Sequence, residues 1–219
     1  MAGEVRVDGR VSSKASDSIK EQSEISLTVR SRYVGRGGTK LEGALAHFGI
    51  DCGGKIALDI GASTGGFTDC LLQHGARKVF AVDVGHGQLA WKIRDDPRVI
   101  VLEKFNARRL SHEQIPELVE ICVIDVSFIS LTLILPNAFE LLIPNSVILA
   151  LIKPQFELAR EDVGRGGIVR SPELHDEAQR KVVRFAKTIG ARVDGLVPSK
   201  ITGTDGNQEF FICLRKPSD

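Results

Sequence analysis

The sequence predicts an α/β fold in which a largely parallel sheet carries helices on both faces. Three observations predict it. Between Ile56 and Ile152, short apolar runs of strand length alternate with segments of helical periodicity, the order that builds a parallel sheet. The first run, Ile56-Ala-Leu-Asp-Ile60, passes through a loop carrying Gly61, Gly65 and Gly66 into a pattern that puts Phe67, Cys70 and Leu71 on one helical face. Glycines in such a loop let the backbone turn sharply and let a ligand come close. Finally, 219 residues, 42% hydrophobic and 26% charged, suffice for one large core with a small appendage.

Taken in order, the chain opens with Val5-Arg-Val-Asp-Gly-Arg-Val11, an alternating pattern about an Asp-Gly pair and hence a hairpin signal. Thirty residues bury no core of their own, so residues 1–30 form a separate segment and residues 31–219 the main domain. A helical run covers Leu41 to Phe48, with Gly49 as its stop. Expected strands are Ile56–Ile60, Val79–Val84, Val99–Leu102, Ile121–Val126 and Val147–Ile152. Helices are expected to about His74, over Gln88–Arg94, near Glu113–Val119 and over Leu131–Leu142. The Gly-rich stretch Pro154 to Ser171 is long for an idle connection and reads as a lid or substrate loop. Ser171-Pro172 starts a helix that Gly190 stops, and strands over Arg192–Val197 and Glu209–Leu214 end the chain.

Composition narrows the functional classes. A net charge of +1 neither requires nor excludes nucleic acid, since phosphates are bound by a local basic patch. Arg30, Arg32, Arg36 and Lys40 lie in an acid-free stretch that is either such a patch or a solvated linker. The four cysteines, Cys52, Cys70, Cys122 and Cys213, have no metal or redox spacing and read as reduced core residues of a cytoplasmic protein. No metal site is expected. The start is too charged for a signal peptide, and prolines, asparagines and a glutamate break the most apolar stretch, Leu131 to Ile152, so no membrane contact is expected.

Polar residues gather where ligands bind open parallel sheets, beyond the carboxyl ends of the strands. Four strands end there in an ionisable residue: Asp59, Asp83, Asp125 and Lys153. If the last strand runs antiparallel, Glu209 joins them. In a dinucleotide fingerprint the second glycine admits a pyrophosphate, but Ser63 occupies that place. A nucleoside ligand without phosphate, such as S-adenosylmethionine, suits this loop better than NAD; a purely structural turn is the other alternative. Asp83 stands where a carboxylate accepts ribose hydroxyls.

Six motifs occur in order: Gly35-Arg-Gly-Gly-Thr-Lys-Leu41, Asp59-Ile-Gly-Ala-Ser-Thr-Gly-Gly-Phe-Thr68, Asp125-Val-Ser-Phe-Ile-Ser130, Lys153-Pro-Gln-Phe-Glu157, Gly164-Arg-Gly-Gly-Ile-Val-Arg170 and Gly206-Asn-Gln-Glu209. Together they resemble the TlyA/hemolysin A family of FtsJ-like ribosomal RNA methyltransferases, over residues 3 to 216. The resemblance implies a Rossmann-like seven-stranded sheet, mostly parallel with one antiparallel strand, and 2′-O-methylation of rRNA cytidines by S-adenosylmethionine. It also implies a Lys-Asp-Lys-Glu tetrad, which falls on Lys40, Asp125, Lys153 and Glu209. Residues 1–30 resemble the second half of an S4 RNA-binding domain, whose helical first half would precede Met1.

From this follow the expected contacts. Gly61, Ser63, Gly65, Phe67 and Thr68 surround the methionine end of the cofactor, and Asp59, Gly66 and Asp125 are further cofactor-binding residues. Asp83 and Val84 hold the ribose and adenine, and Asn106 and Ala107 the adenine. Arg30, Arg32, Arg36, Arg165 and Arg170 line an RNA path on ribosomal RNA or a subunit, and the protein is expected to be a monomer. The chemistry fits the tetrad, because a ribose hydroxyl is a poor nucleophile that needs a base and alignment. Lysine can be that base when burial and a second cation, here Lys40, favour its neutral form. Amino-group methylation would call for Asn/Asp-Pro-Pro-aromatic, and Asp125-Val-Ser-Phe128 lacks both prolines. The alternatives are an NAD-dependent oxidoreductase and a non-catalytic RNA-binding or hemolysin-like protein.

Overall fold

The computed structural model describes residues 5–11, 18–27, 32–203 and 205–218. The chain divides into two units, residues 1–32 and residues 33–219. In the first, strands β1 (Val5–Val7), β2 (Arg10–Val11) and β3 (Ile25–Leu27) form an antiparallel sheet in the order β2-β1-β3. Asp8 and Gly9 turn the hairpin with φ of 49° and 78°, the left-handed pair that matches strand twist. Asp8 also accepts the Glu24 N–H on its side chain at 2.9 Å, which ties the turn to the approach of β3.

The second unit runs α1 (Arg36–Phe48), β4 (Ile56–Ile60), α2 (Gly66–Gln73), β5 (Lys78–Val82), α3 (Trp91–Arg94), β6 (Val99–Leu102) and β7 (Val119–Ile124). It continues through α4 (Leu135–Glu140), β8 (Leu142–Ile152), α5 (Pro154–Glu157), α6 (Pro172–Thr188), β9 (Arg192–Pro198) and β10 (Phe210–Arg215). The seven strands lie in the order β6-β5-β4-β7-β8-β10-β9. Strands β4 to β8 pair in parallel, whereas β10 is antiparallel to both β8 and β9.

Because successive strand side chains point to opposite faces, each strand feeds two cores. Leu58, Ile60, Cys122 and Ile124 pack with Ala138 of α4 and Ala178 and Val182 of α6. Ala57, Ile121 and Val123 pack with Leu41 of α1 and Phe67 and Leu71 of α2. The central strands are therefore buried on both sides and read as unbroken apolar runs. Among the described residues no helix is long and apolar enough to cross a membrane.

Three local expectations change. The helix expected near Glu113–Val119 does not form: Ser111 to Gln114 make one turn, Pro116 cannot continue it, and Val119 already opens β7. The helix expected over Leu131–Leu142 is a 3₁₀ turn, Leu131–Leu133, followed by the short α4, after which Leu142 enters β8. The stretch Pro154 to Ser171 is not one open loop. It holds α5 and two 3₁₀ turns, Arg160–Asp162 and Arg165–Gly167.

Candidate active site

Parallel strands deliver Asp125 and Lys153 to one edge as the residues that follow β7 and β8. Strand β10 runs the other way and sets Phe210 opposite Ile152, so Glu209, one residue earlier, arrives at that same edge. Lys153 Nζ lies 2.6 Å from Asp125 Oδ1 and donates to Ser127 Oγ at 2.9 Å. Lys40 comes from α1, on the second core's face of the sheet, and its Nζ stands 2.5 Å from Glu209 Oε2 with both residues buried. Each lysine thus has its own carboxylate. Lys40 is matched by Glu209 and is no bare second cation beside Lys153, as the sequence had suggested.

Placing Lys40 requires α1 to start close to α2. A Cβ on Gly66 would lie 3.0 Å from the Gly38 nitrogen and 3.3 Å from Gly37 Cα, and one on Gly35 would lie 2.8 Å from Thr64 Oγ1. Glycine is what lets the two helix starts touch. At the other end, a Cβ on Gly203 would come within 2.7 Å of Glu209 Oε1. The second ion pair is thus held between glycine-lined surfaces.

Beside the first ion pair opens a cavity of about 410 Å³, lined by Gly61, Ser63, Asp83, Val84, Asn106, Ala107 and Asp125, together with Ser127 and Phe128. Ser63 has φ 48° and Gly61 φ 88°, and a side chain at Gly61 would collide with the Asp125 carbonyl. Asp83 is fixed by the Ser63 N–H at 2.7 Å and the Gly85 N–H at 2.6 Å, which leaves acceptor capacity on both oxygens. Asn106 caps the turn Ala107–Arg109 by accepting the Arg108 N–H at 3.0 Å.

The remaining residues expected around the cofactor stand behind that wall. Asp59 is fully buried and takes a 2.6 Å hydrogen bond from Thr68 Oγ1, while its Oδ1 has no hydrogen-bond partner. Burial pushes its carboxyl up to about 7; the Thr68 hydrogen bond opposes this, and the Asp125 and Asp83 charges add to it. Phe67 stacks on Phe211 with ring centroids 6.0 Å apart. Gly65, with φ 94°, packs on Leu89 and Ile93, and Gly66 meets the start of α1. These residues shape the loop and do not line the cavity.

Among the arginines, Arg30 lies outside the described residues, and Arg32 is exposed in the first unit. Arg36 is exposed and donates to the Thr202 carbonyl at 2.8 Å. Arg165 and Arg170 are exposed on the Gly-rich segment. Asn207, buried, fastens that segment by accepting the Val169 N–H and donating to the Gly167 carbonyl, both at 2.9 Å. Sequence reasoning gave no role to Ser127, Asn207 or Phe128. Phe128 is 91% exposed at φ 63° and touches Phe156, ring centroids 5.0 Å apart. The signal available was its place, three residues after a site aspartate.

The chain is similar to known proteins along most of its length. The 16S/23S rRNA (cytidine-2′-O)-methyltransferase TlyA of Mycobacterium tuberculosis is 43% identical over 100% of this chain and 82% of its own length. Hemolysin A of Brachyspira hyodysenteriae is 46% identical over 96% of this chain and 88% of its own. Among solved structures, a candidate hemolysin of Streptococcus thermophilus superposes with a TM-score of 0.86 at 45% identity, over 100% of this chain and 81% of that one. Residues 33–216, a span that contains the seven-stranded sheet and both ion pairs, match the FtsJ-like methyltransferase family model, and this chain accordingly belongs to that family.

Proposed function

We propose that this chain is a cytoplasmic, S-adenosylmethionine-dependent methyltransferase that modifies a ribose 2′-hydroxyl of ribosomal RNA, with a cytidine as the expected target. The observation that carries this reading is the convergence of Lys153–Asp125 and Lys40–Glu209 on the sheet edge that bears the cavity. The name of the relative in Mycobacterium, an rRNA (cytidine-2′-O)-methyltransferase, supports the substrate class.

The residues present fit the cofactor. Asp83 and Asp125 place carboxylates on the cavity wall, where a cationic ligand meets opposite charge. Asp83 offers hydroxyl acceptors, Gly61 and Ser63 give a close backbone approach, and Val84, Asn106 and Ala107 border the far end. When bound, S-adenosylmethionine supplies a methyl group on a positively charged sulfur. Lys153 accepts the hydroxyl proton in its neutral form, after its own proton has left, with Asp125 and Ser127 placing its Nζ. Lys40 and Glu209 position the hydroxyl from the opposite side.

Isotope-labelled methyl transfer to rRNA and to ribosomal subunits, read by mass spectrometry of digested nucleosides, tests the proposal. The label is expected in a 2′-O-methylated nucleoside. Label on a base, or in neither substrate while NAD binds in calorimetric titration, would overturn it.

A further inference from the structure

Beyond the tetrad, we infer that Glu157 is a positioning residue for the reaction, closing a clasp between the two segments that carry Asp125 and Lys153. The inference rests on the methyl-transfer reading for its kinetic part alone. Glu157 is 3% exposed, a rare state for a carboxylate unless its oxygens are fully engaged. One oxygen accepts the Leu131 N–H at 2.7 Å and the other the Ser130 hydroxyl at 2.6 Å. Lys181 of α6 stands 3.4 Å from the second oxygen and donates to the Glu157 carbonyl.

Those contacts join two short segments at both ends. One is Asp125 to Leu131, which includes the cavity-lining Ser127 and Phe128. The other is Lys153 to Glu157, a single helical turn closed by the Phe156 N–H on the Lys153 carbonyl at 2.9 Å and the Leu158 N–H on the Pro154 carbonyl at 3.1 Å. Lys153 bridges them at one end through Asp125 and Ser127, Glu157 at the other through Ser130 and Leu131, and the Phe128–Phe156 ring contact lies between. Phe128 holds a left-handed backbone at φ 63°, a conformation that persists where the surroundings over-determine it. Without Glu157 the loop loses its side-chain tie to the Lys153–Glu157 turn at the end remote from Lys153, and Ser127 is less firmly placed to orient Lys153.

Glu157→Gln keeps the volume but sets an amide N–H₂ against one of the two donors. The first measurement is amide hydrogen exchange of the free protein over Val126 to Leu131, with turnover at saturating cofactor and RNA as the second. Expected are faster exchange in that segment, a turnover loss of about 10- to 100-fold, the scale on which small misplacements act, and little change in RNA KM. Ser130→Ala, which removes the link from its other side, is expected to show the same pattern more weakly, and the double variant to be no worse than Glu157→Gln alone. If Glu157→Gln fails to fold, Ser130→Ala still reads the clasp. Unchanged exchange, or a turnover loss that matches the unfolded fraction at each temperature, overturns the inference. A parent protein that transfers no methyl to RNA overturns the proposed function instead, and the exchange arm still decides the clasp.

Discussion

At the scale of single residues, catalysis and binding should separate at Lys153. Its Nζ is held by Asp125 and Ser127 at the cavity edge, whereas the far end of the cavity is bordered by Asp83, Val84 and Asn106. Lys153→Ala is therefore expected to keep S-adenosylmethionine affinity nearly intact while turnover falls about 10²- to 10⁴-fold, the usual contribution of a positioned base. Lys153→Arg is expected to fail as well, because a guanidinium does not release its proton near neutral pH. Near-parental turnover in the arginine variant would make Lys153 an electrostatic group. Asp59 makes a second prediction. Its carboxyl titrates at about 7 in the folded protein against 3.8 unfolded, so the folded state binds the extra proton, and stability present below about pH 4 is lost as pH rises through about 7. Asparagine does not titrate. Asp59→Asn should gain on the parent as pH rises through that window, by at most roughly 3 kcal/mol between urea unfolding at pH 5 and at pH 8. A difference that ignores pH would contradict the assignment.

At the scale of elements, α1 carries Lys40 and begins earlier than its apolar periodicity announces. The run Arg36-Gly-Gly-Thr-Lys40 contains two poor helix formers, and it is helical because Gly38 meets Tyr33 and Gly66 fits between Gly37 and Gly38. Tertiary contact outweighs propensity there. Gly38→Ala improves propensity yet drives a methyl into the Tyr33 ring. It is expected to lose about 1–3 kcal/mol and, by displacing Lys40 from Glu209, to lower turnover more than cofactor affinity. Stabilisation by alanine in chemical denaturation would show that the contact yields. The opposite holds at Glu113–Val119, where a helix-like pattern covers a turn and the start of β7. A seven-residue window holding Pro116 is too short for periodicity to separate a helix from a turn followed by a strand.

At the scale of the molecule, the chain folds as two units, and the larger contains the entire candidate site. The proposed RNA contacts among the described residues are exposed arginines. Arg36 uses a donor on the Thr202 carbonyl, and a guanidinium has four more. If Arg32 and Arg36 contact phosphates, replacing both with alanine should flatten the dependence of RNA binding on log salt by about one per contact. An unchanged slope in filter-binding titrations would return them to the solvated surface.

The sequence by itself determined the alternation of strands and helices along the chain and the chemistry near the strand ends. Continuous apolar runs bounded by turn signals read as doubly covered strands, and Asp83, Asp125 and Lys153 stand just past the ends of β5, β7 and β8, whereas Asp59 lies inside β4. Tertiary structure alone decided how those groups pair. Lys40 and Glu209 are 169 positions apart, and their contact depends on a glycine-to-glycine helix approach and on the antiparallel register of β10, neither of which leaves a local periodic signal. The same holds for Asp59, Phe67 and Thr68. Their motif was legible, but whether each faces a ligand or the core depends on which side of the glycine loop the sheet and α2 close over.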